Sequence, residues 1–146
     1  MIETIKRRPG LTVFLVAFAL RLVWILTLKD VLVWPDEQEF AAIAEHLTAG
    51  DGYVSNSYRT NPVVPVYLAA FFKLFGTGLL APRIGQAAIG GLTCVVLGRL
   101  ASLLAGPTAG LIAGLMLAVY PAHIYLSGVF YVACIATYLS LLAIWL

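Results

Sequence analysis

Four apolar runs, over about 11–31, 83–104, 108–121 and 129–146, are separated by one long polar interruption at 34–82 and by two short breaks. The first run follows Lys6-Arg7-Arg8-Pro9-Gly10. Its core, 11–28, is eighteen mostly apolar residues, roughly 27 Å of helix at about 1.5 Å per residue, which suffices for a membrane span. A cleaved signal peptide would have a shorter apolar core, without Arg21 inside it, and a small-residue cleavage site before Lys29. The pattern therefore predicts an uncleaved anchor. The basic cluster at 6–8 keeps the amino terminus cytoplasmic and sends Trp34 onward to the opposite side. Arg21 lies near mid-span, where a charge costs about 2.5 to 3.5 kcal/mol, so it is expected to face other helices or a polar cavity, with snorkelling as the alternative.

Within the interruption, Asp36 followed by Glu39 has the form of a capping box, and Phe40, Ile43, Ala44 and Leu47 recur at helical spacing until Gly50-Asp51-Gly52 stops them. This predicts a short amphipathic helix along the membrane interface, with Asp36 as its N-cap, followed by an irregular loop over 53–61. The segment 62–75 is apolar for about fourteen residues but carries Lys73 and ends at Gly76-Thr77-Gly78, so it fits a re-entrant or interfacial helix better than a span. Arg83 then falls on the extracytoplasmic side and Arg99 near the inner face. Ala105-Gly106-Pro107 forms the turn into the next run, and Pro121 ends it. Gly106, Gly110 and Gly114 recur every four residues, as do Ala87 and Gly91, giving small faces for close helix packing. The last run reaches Leu146 without a polar flank, which reads as the front piece of something longer. The predicted fold is all-α: a polytopic membrane helix bundle of about four spans plus an extracytoplasmic amphipathic helix and a short re-entrant or interfacial helix.

Composition agrees with this pattern. Of 146 residues, 62% are hydrophobic and 11% charged, and the mean hydropathy is +0.97, values that point to an integral membrane protein with the lipid bilayer as its surroundings. A net charge of +2 with scattered basic residues gives no sign of a nucleic-acid partner. Cys94 and Cys134 sit in apolar runs as small hydrophobes, without metal-ligand spacing. His46 and His123 are each isolated, so both default to interfacial packing, and no resident metal site is predicted.

Candidate chemistry concentrates in the polar interruption, which holds five of the chain's seven acids. Asp36 and Glu37 stand side by side at a helix start, where a carboxylate serves as a cap, a general base or a ligand for a divalent metal. An N-cap aspartate contributes about 1 kcal/mol and is held rigidly, so capping and catalysis are compatible. Tyr58, Arg59 and Asn61, with Lys73 beyond them and Arg83 at the start of a span, could hold an anionic ligand or greet lipid phosphate. The aromatics, among them Trp24, Trp34, Tyr53, Tyr67, Tyr120, Tyr125 and Tyr131, mostly fall at span ends, as a membrane aromatic belt requires.

Several of these residues recur together in one family. Trp34-Pro35-Asp36-Glu37, then Phe40, Ile43-Ala44, Leu47, Gly50, Gly52-Tyr53, Arg59, Pro62, Pro65, Tyr67, Leu74-Phe75-Gly76, Arg83 and Gln86, and later Tyr120-Pro121, Tyr125 and Ser127-Gly128, resemble the amino-terminal part of the C-type, polyprenyl-phosphate-dependent membrane glycosyltransferases. That family includes the protein O-mannosyltransferases and the lipid A aminoarabinose transferases. The resemblance runs over the whole chain and corresponds to the first quarter to third of a family member. It implies transfer of a sugar from a polyprenyl-phosphate-linked donor to a hydroxyl acceptor at the extracytoplasmic face of a bacterial inner membrane. It further implies Asp36 as the catalytic carboxylate, Glu37 as its support, and a basic residue near 59–61 against the lipid phosphate. Asn61 stands where some members have Lys, which makes Arg59 the preferred cation. Val132-Ala133-Cys134 lacks the acid usual in the family at that point. A transporter fragment, with Arg21 and Arg83 along a polar pathway, and a small noncatalytic membrane subunit are the rival readings. A transporter would show inverted repeats, and the sequence contains none.

Overall fold

A computed structural model describes residues 9–55 and 61–146, so the basic cluster 6–8 and the candidates Tyr58 and Arg59 lie outside the described residues. Among the described residues every regular element is helical: α1 (Pro9–Thr27), α2 (Pro35–Ala49), α3 (Val63–Phe75), α4 (Leu80–Val119), α5 (Pro121–Leu126) and α6 (Val132–Trp145). Two of them, α1 and α4, are long and apolar enough to cross a membrane, while α3 and α6 are shorter apolar helices.

As one rod the 40 residues of α4 would run about 60 Å, twice the hydrocarbon thickness of a bilayer. The helix is broken at Ala105 (φ −136°, ψ 15°) and Gly106 (φ 87°, ψ 169°), and the arm 107–119 folds back along the arm 80–104. A Cβ added at Gly98 would come within 2.9 Å of the Gly110 carbonyl oxygen, and one at Gly114 within 3.0 Å of the Cys94 carbonyl oxygen, so the arms run antiparallel at backbone contact. Gly110 and Gly114 therefore pack as their spacing predicts. Gly106 does not: it supplies the positive φ of the turn, and a Cβ there would meet nothing.

The arm 80–104 also packs antiparallel to α1, with Gly91 against Phe14 and Gly10 against Val95. At the lower end the Arg99 guanidinium lies 5.4 Å from the Trp145 ring centroid, so α6 descends beside the same arm. A small core of Val13, Ala17, Cys94 and Ala118 joins α1 to both arms of α4. The helices α2 and α3 form a separate layer across the upper end. Ala41 and Ala44 of α2 meet Val64, Leu68 and Phe72 of α3, and Leu79 and Phe130 close the cluster. On the far side of α3, Val66, Leu74 and Phe75 remain exposed, so this helix is apolar on both faces, as an interfacial or re-entrant element would be.

The start of α2 differs from the sequence expectation. Its N-cap is Trp34 and Pro35 occupies the first helical position, where a fixed φ and a missing N–H cost nothing. The cap thus lies two residues before the expected one. The residue that reaches back to the cap backbone is Glu37 instead of Glu39, and Asp36 lies in the first turn. At the other end Gly50 (φ 92°) terminates α2 as predicted, its N–H donating to the His46 carbonyl at 3.1 Å.

Candidate functional site

Two segments without regular structure, 28–34 and 127–131, meet at the upper end of the bundle. Such segments leave backbone groups that need partners, and the chain supplies them from long polar side chains. Arg83, in the first turn of α4, donates from Nη1 to the Lys29 carbonyl (2.8 Å), from Nη2 to the Val31 carbonyl (3.0 Å) and from Nε to the Gly128 carbonyl (3.1 Å). One turn on, the fully buried Gln86 amide, oriented as its acceptors require, donates to the Ser127 and Val129 carbonyls, both at 3.3 Å. Glu37 satisfies the complementary donors. Its Oε2 accepts the Val33 (3.2 Å) and Trp34 (3.1 Å) N–H groups, and its Oε1 accepts the Phe130 N–H (2.8 Å). Asp30 Oδ1 accepts the Leu79 N–H at 2.9 Å, capping α4 from a distant segment.

These bonds fix the start of α2 against the top of the bundle. Glu37 is 2% exposed and Arg83 5%, and they lie within electrostatic range of each other. Their opposite charges offset one another, while their hydrogen bonds are occupied by backbone.

Beside this junction is a cavity of about 480 Å³, bordered by Trp24, Lys29, Trp34, Glu37, Arg83 and Tyr125, with apolar lining from Val31 and Val33. Trp34 and Tyr125 are only partly covered, and the Trp34 indole Nε1 donates to the Tyr125 hydroxyl at 3.1 Å, a bridge from the start of α2 to α5. The Trp24 and Tyr125 rings are 6.1 Å apart, tilted by 41°. Gly128 permits this arrangement, because a Cβ there would meet the Trp24 indole nitrogen at 2.8 Å. That nitrogen is buried without a hydrogen-bond partner.

The structure separates the candidate site residues. Asp36 is exposed, and among the described residues no hydrogen bond or ion pair engages it. It sits between Trp34 and Glu37, which border the cavity, and its carboxylate is within electrostatic range of the Tyr131 phenol. Glu37 and Arg83 border the cavity directly. Asn61 does not: its Oδ1 accepts the Val63 N–H at 2.9 Å, at the beginning of α3. Lys29 is a cavity residue that the sequence reading did not select. Its position at the end of the first apolar run, just before the polar interruption, was the available signal. No group of three or more His, Cys, Asp and Glu among the described residues could hold a metal ion.

Deeper in the bundle, Arg21 is fully buried and does not snorkel. Its Nη1 donates to the Ala17 (2.8 Å) and Ala118 (3.4 Å) carbonyls, and its Nη2 donates to His123 Nδ1 (2.8 Å) and to Cys94 Sγ (3.6 Å). A guanidinium only donates, so His123 accepts at Nδ1 and carries its proton at Nε2, which is buried without a partner. His123 is thus the partner of Arg21 and not a loosely packed interfacial ring. The cation is sealed among α1, α4 and α5, so Arg21 lines no pathway.

Compared with protein-family models, with curated proteins and with solved structures, the chain matches none.

Proposed function

We propose that this chain is the amino-terminal part of a membrane glycosyltransferase that moves a sugar from a polyprenyl phosphate to a hydroxyl acceptor on the extracytoplasmic side. In this reading α1, the two arms of α4 and α6 are four spans of alternating direction, the amino terminus is cytoplasmic, and α2 and α3 lie on the outer surface. The alternation of helix direction and the layer formed by α2 and α3 support that topology.

The observation that carries the reading is Asp36. It is a solvent-facing carboxylate in the first turn of a helix whose start is pinned by three hydrogen bonds to Glu37, next to a cavity with aromatic walls. A general base must be accessible to the proton it takes and held in position, and Asp36 meets both conditions. In the reaction the acceptor oxygen attacks the anomeric carbon and its proton passes to Asp36. The bond from that carbon to the phosphate oxygen breaks, and polyprenyl phosphate leaves with the electron pair. Positive charge near the phosphate stabilises this departure. Glu37 is a positioning residue here, because its own oxygens are occupied by backbone donors.

Asp36→Asn in the full-length protein tests the role. Insertion, expression and thermal stability are expected to match wild type, with sugar transfer reduced by at least a hundredfold, the lower end of typical general-base contributions. Wild-type turnover in that variant rules the catalytic role out. Topology is tested separately by labelling a cysteine introduced at the exposed Thr48, against the buried Cys94 and Cys134, with a membrane-impermeant maleimide. Protection of Thr48→Cys in right-side-out membranes, with labelling only after permeabilisation, refutes the proposed orientation.

A further inference from the structure

The opposite, lower end of the bundle holds a second cavity, of about 210 Å³, between the start of α1 and the two arms of α4. Along the first arm its border runs from Cys94 to Ser102, about 12 Å of helix at about 1.5 Å per residue, so the space is long and narrow. Its inner end lies against Val13 and Cys94, with Val95 and Leu111 along the sides, and Gly10 leaves room for it by having no side chain. The outer end is different, because Arg99 stands there. Its guanidinium is exposed and rests on the Trp145 ring, 5.4 Å from the centroid, and among the described residues no hydrogen bond or ion pair engages it. Every described acid lies between residues 30 and 51, at the upper end, so no described carboxylate shares the end where Arg99 sits. Leu103 and Leu104, beside the same turn, are exposed.

We infer that this cavity binds an anionic phospholipid of the cytoplasmic leaflet, with the phosphate on the Arg99 guanidinium and one acyl chain rising between α1 and the arms of α4. An apolar space of this shape does not hold water, and a hydrocarbon chain fills it without leaving a polar group unpaired. The direction also agrees: a lipid of that leaflet has its phosphate at the membrane surface and its chains toward the midplane, and the cavity runs the same way from Arg99 to Val13. The planar guanidinium offers a fork of N–H donors that matches a phosphate, and the Trp145 ring holds the plane in position at the cost of none of them. Choice of an anionic lipid follows from charge. A zwitterionic headgroup brings its own ammonium to the phosphate, whereas an anionic one leaves the phosphate charge for Arg99, as in other basic pockets between helices on the cytoplasmic side. The assignment to that leaflet rests on the proposed orientation of the chain and not on sugar transfer.

The test measures binding of phosphatidylglycerol, of phosphatidylcholine with the same chains, and of glycerol 3-phosphate to the full-length protein by native mass spectrometry. Wild type is expected to prefer phosphatidylglycerol over phosphatidylcholine about tenfold, the contribution of one charge-assisted contact. Arg99→Gln should remove that preference and leave phosphatidylcholine within about twofold, while Arg99→Lys, which keeps the charge without the fork, should retain part of it. Gly10→Leu fills the space with a better helix former and should weaken both lipids about fivefold or more, leaving the preference between them intact. Gly10→Ala, whose methyl meets Val95 at an ordinary 3.5 Å, is the control for folding and should bind as wild type. Unchanged phosphatidylglycerol binding in Arg99→Gln overturns the headgroup assignment, and unchanged binding in Gly10→Leu overturns the placement of the chain in the cavity. Glycerol 3-phosphate binding as tightly as phosphatidylglycerol shows a site for free phosphate and overturns the lipid. These readouts do not involve sugar transfer, so they stand or fall apart from the catalytic role of Asp36. The Thr48→Cys labelling result that refutes the proposed orientation overturns the leaflet.

Discussion

Replacing Glu37 by glutamine keeps the side chain's size and shape and removes its charge and one acceptor atom. In the native structure Oε2 serves the Val33 and Trp34 N–H groups and Oε1 serves Phe130, all from a residue that is 2% exposed. A glutamine oxygen can serve one side only. If it stays with Val33 and Trp34, the amide nitrogen faces the Phe130 N–H, donor against donor. If it turns, two donors are left instead of one. An orphaned buried N–H costs about 1–3 kcal/mol, and the surviving bonds lose their charge assistance, worth about another 1 kcal/mol. The expected destabilisation is therefore about 2–4 kcal/mol, a large fraction of the roughly 5–15 kcal/mol that holds a typical fold. Thermal unfolding in detergent, followed by tryptophan fluorescence, should show a Tm lower by roughly 5 to 15 °C. Asp36→Asn, one residue away but exposed and unpaired, is the control and should shift stability by no more than about 0.5 kcal/mol. If Glu37→Gln also stays within about 0.5 kcal/mol of wild type, then Glu37 does not anchor the start of α2, and the rigid placement of Asp36 loses its basis.

The buried Arg21–His123 contact predicts strong coupling. His123→Leu should cost about 1.5–3 kcal/mol by leaving a guanidinium N–H unpaired, whereas Arg21→Met combined with His123→Leu should return to within about 1 kcal/mol of wild type, because the buried charge and the imidazole it was paired with are then both gone. Additive effects in that double-mutant cycle, measured by the same unfolding assay, refute the pairing. The two kinds of glycine in the α4 hairpin should also respond differently. Gly106→Ala meets only backbone strain, about 1–3 kcal/mol, while Gly110→Ala drives a methyl into Ser102 and the Gly98 carbonyl and should separate the arms. Equal Tm values for the two variants would show that the arms are not in backbone contact.

These predictions concern contacts of two kinds, and the difference explains what the sequence could disclose. The apolar periodicity of α2, its stop at Gly50 and the break at 105–107 rest on local rules of spacing, positive φ and proline, so a reading confined to neighbouring residues finds them. The Asp36 cap failed within the same rules, because two starts compete locally and Pro35 decides between them by fitting the first helical position. The junction that frames the cavity follows no local rule. Arg83 and Gln86 bond backbone carbonyls 41 to 54 residues away, and Glu37 bonds the Phe130 N–H 93 residues away. Every residue has a carbonyl and nearly every residue an N–H, so no residue type marks these partners. What a sequence does disclose is the demand: polar residues placed in apolar helices must be satisfied somewhere. Arg21 and His123 raise that demand in two separate apolar runs, and the structure pairs them across 102 residues. Arg83 and Gln86 raise it together, at i and i+3, on the face of α4 that Gly90 continues at i+7. That stripe faces the segment 127–129, with Ser127 Oγ 3.2 Å from where a Gly90 Cβ would lie. Polar residues at helical spacing in an otherwise apolar helix thus indicate a backbone without regular structure packed alongside. In this chain that backbone forms one wall of the cavity.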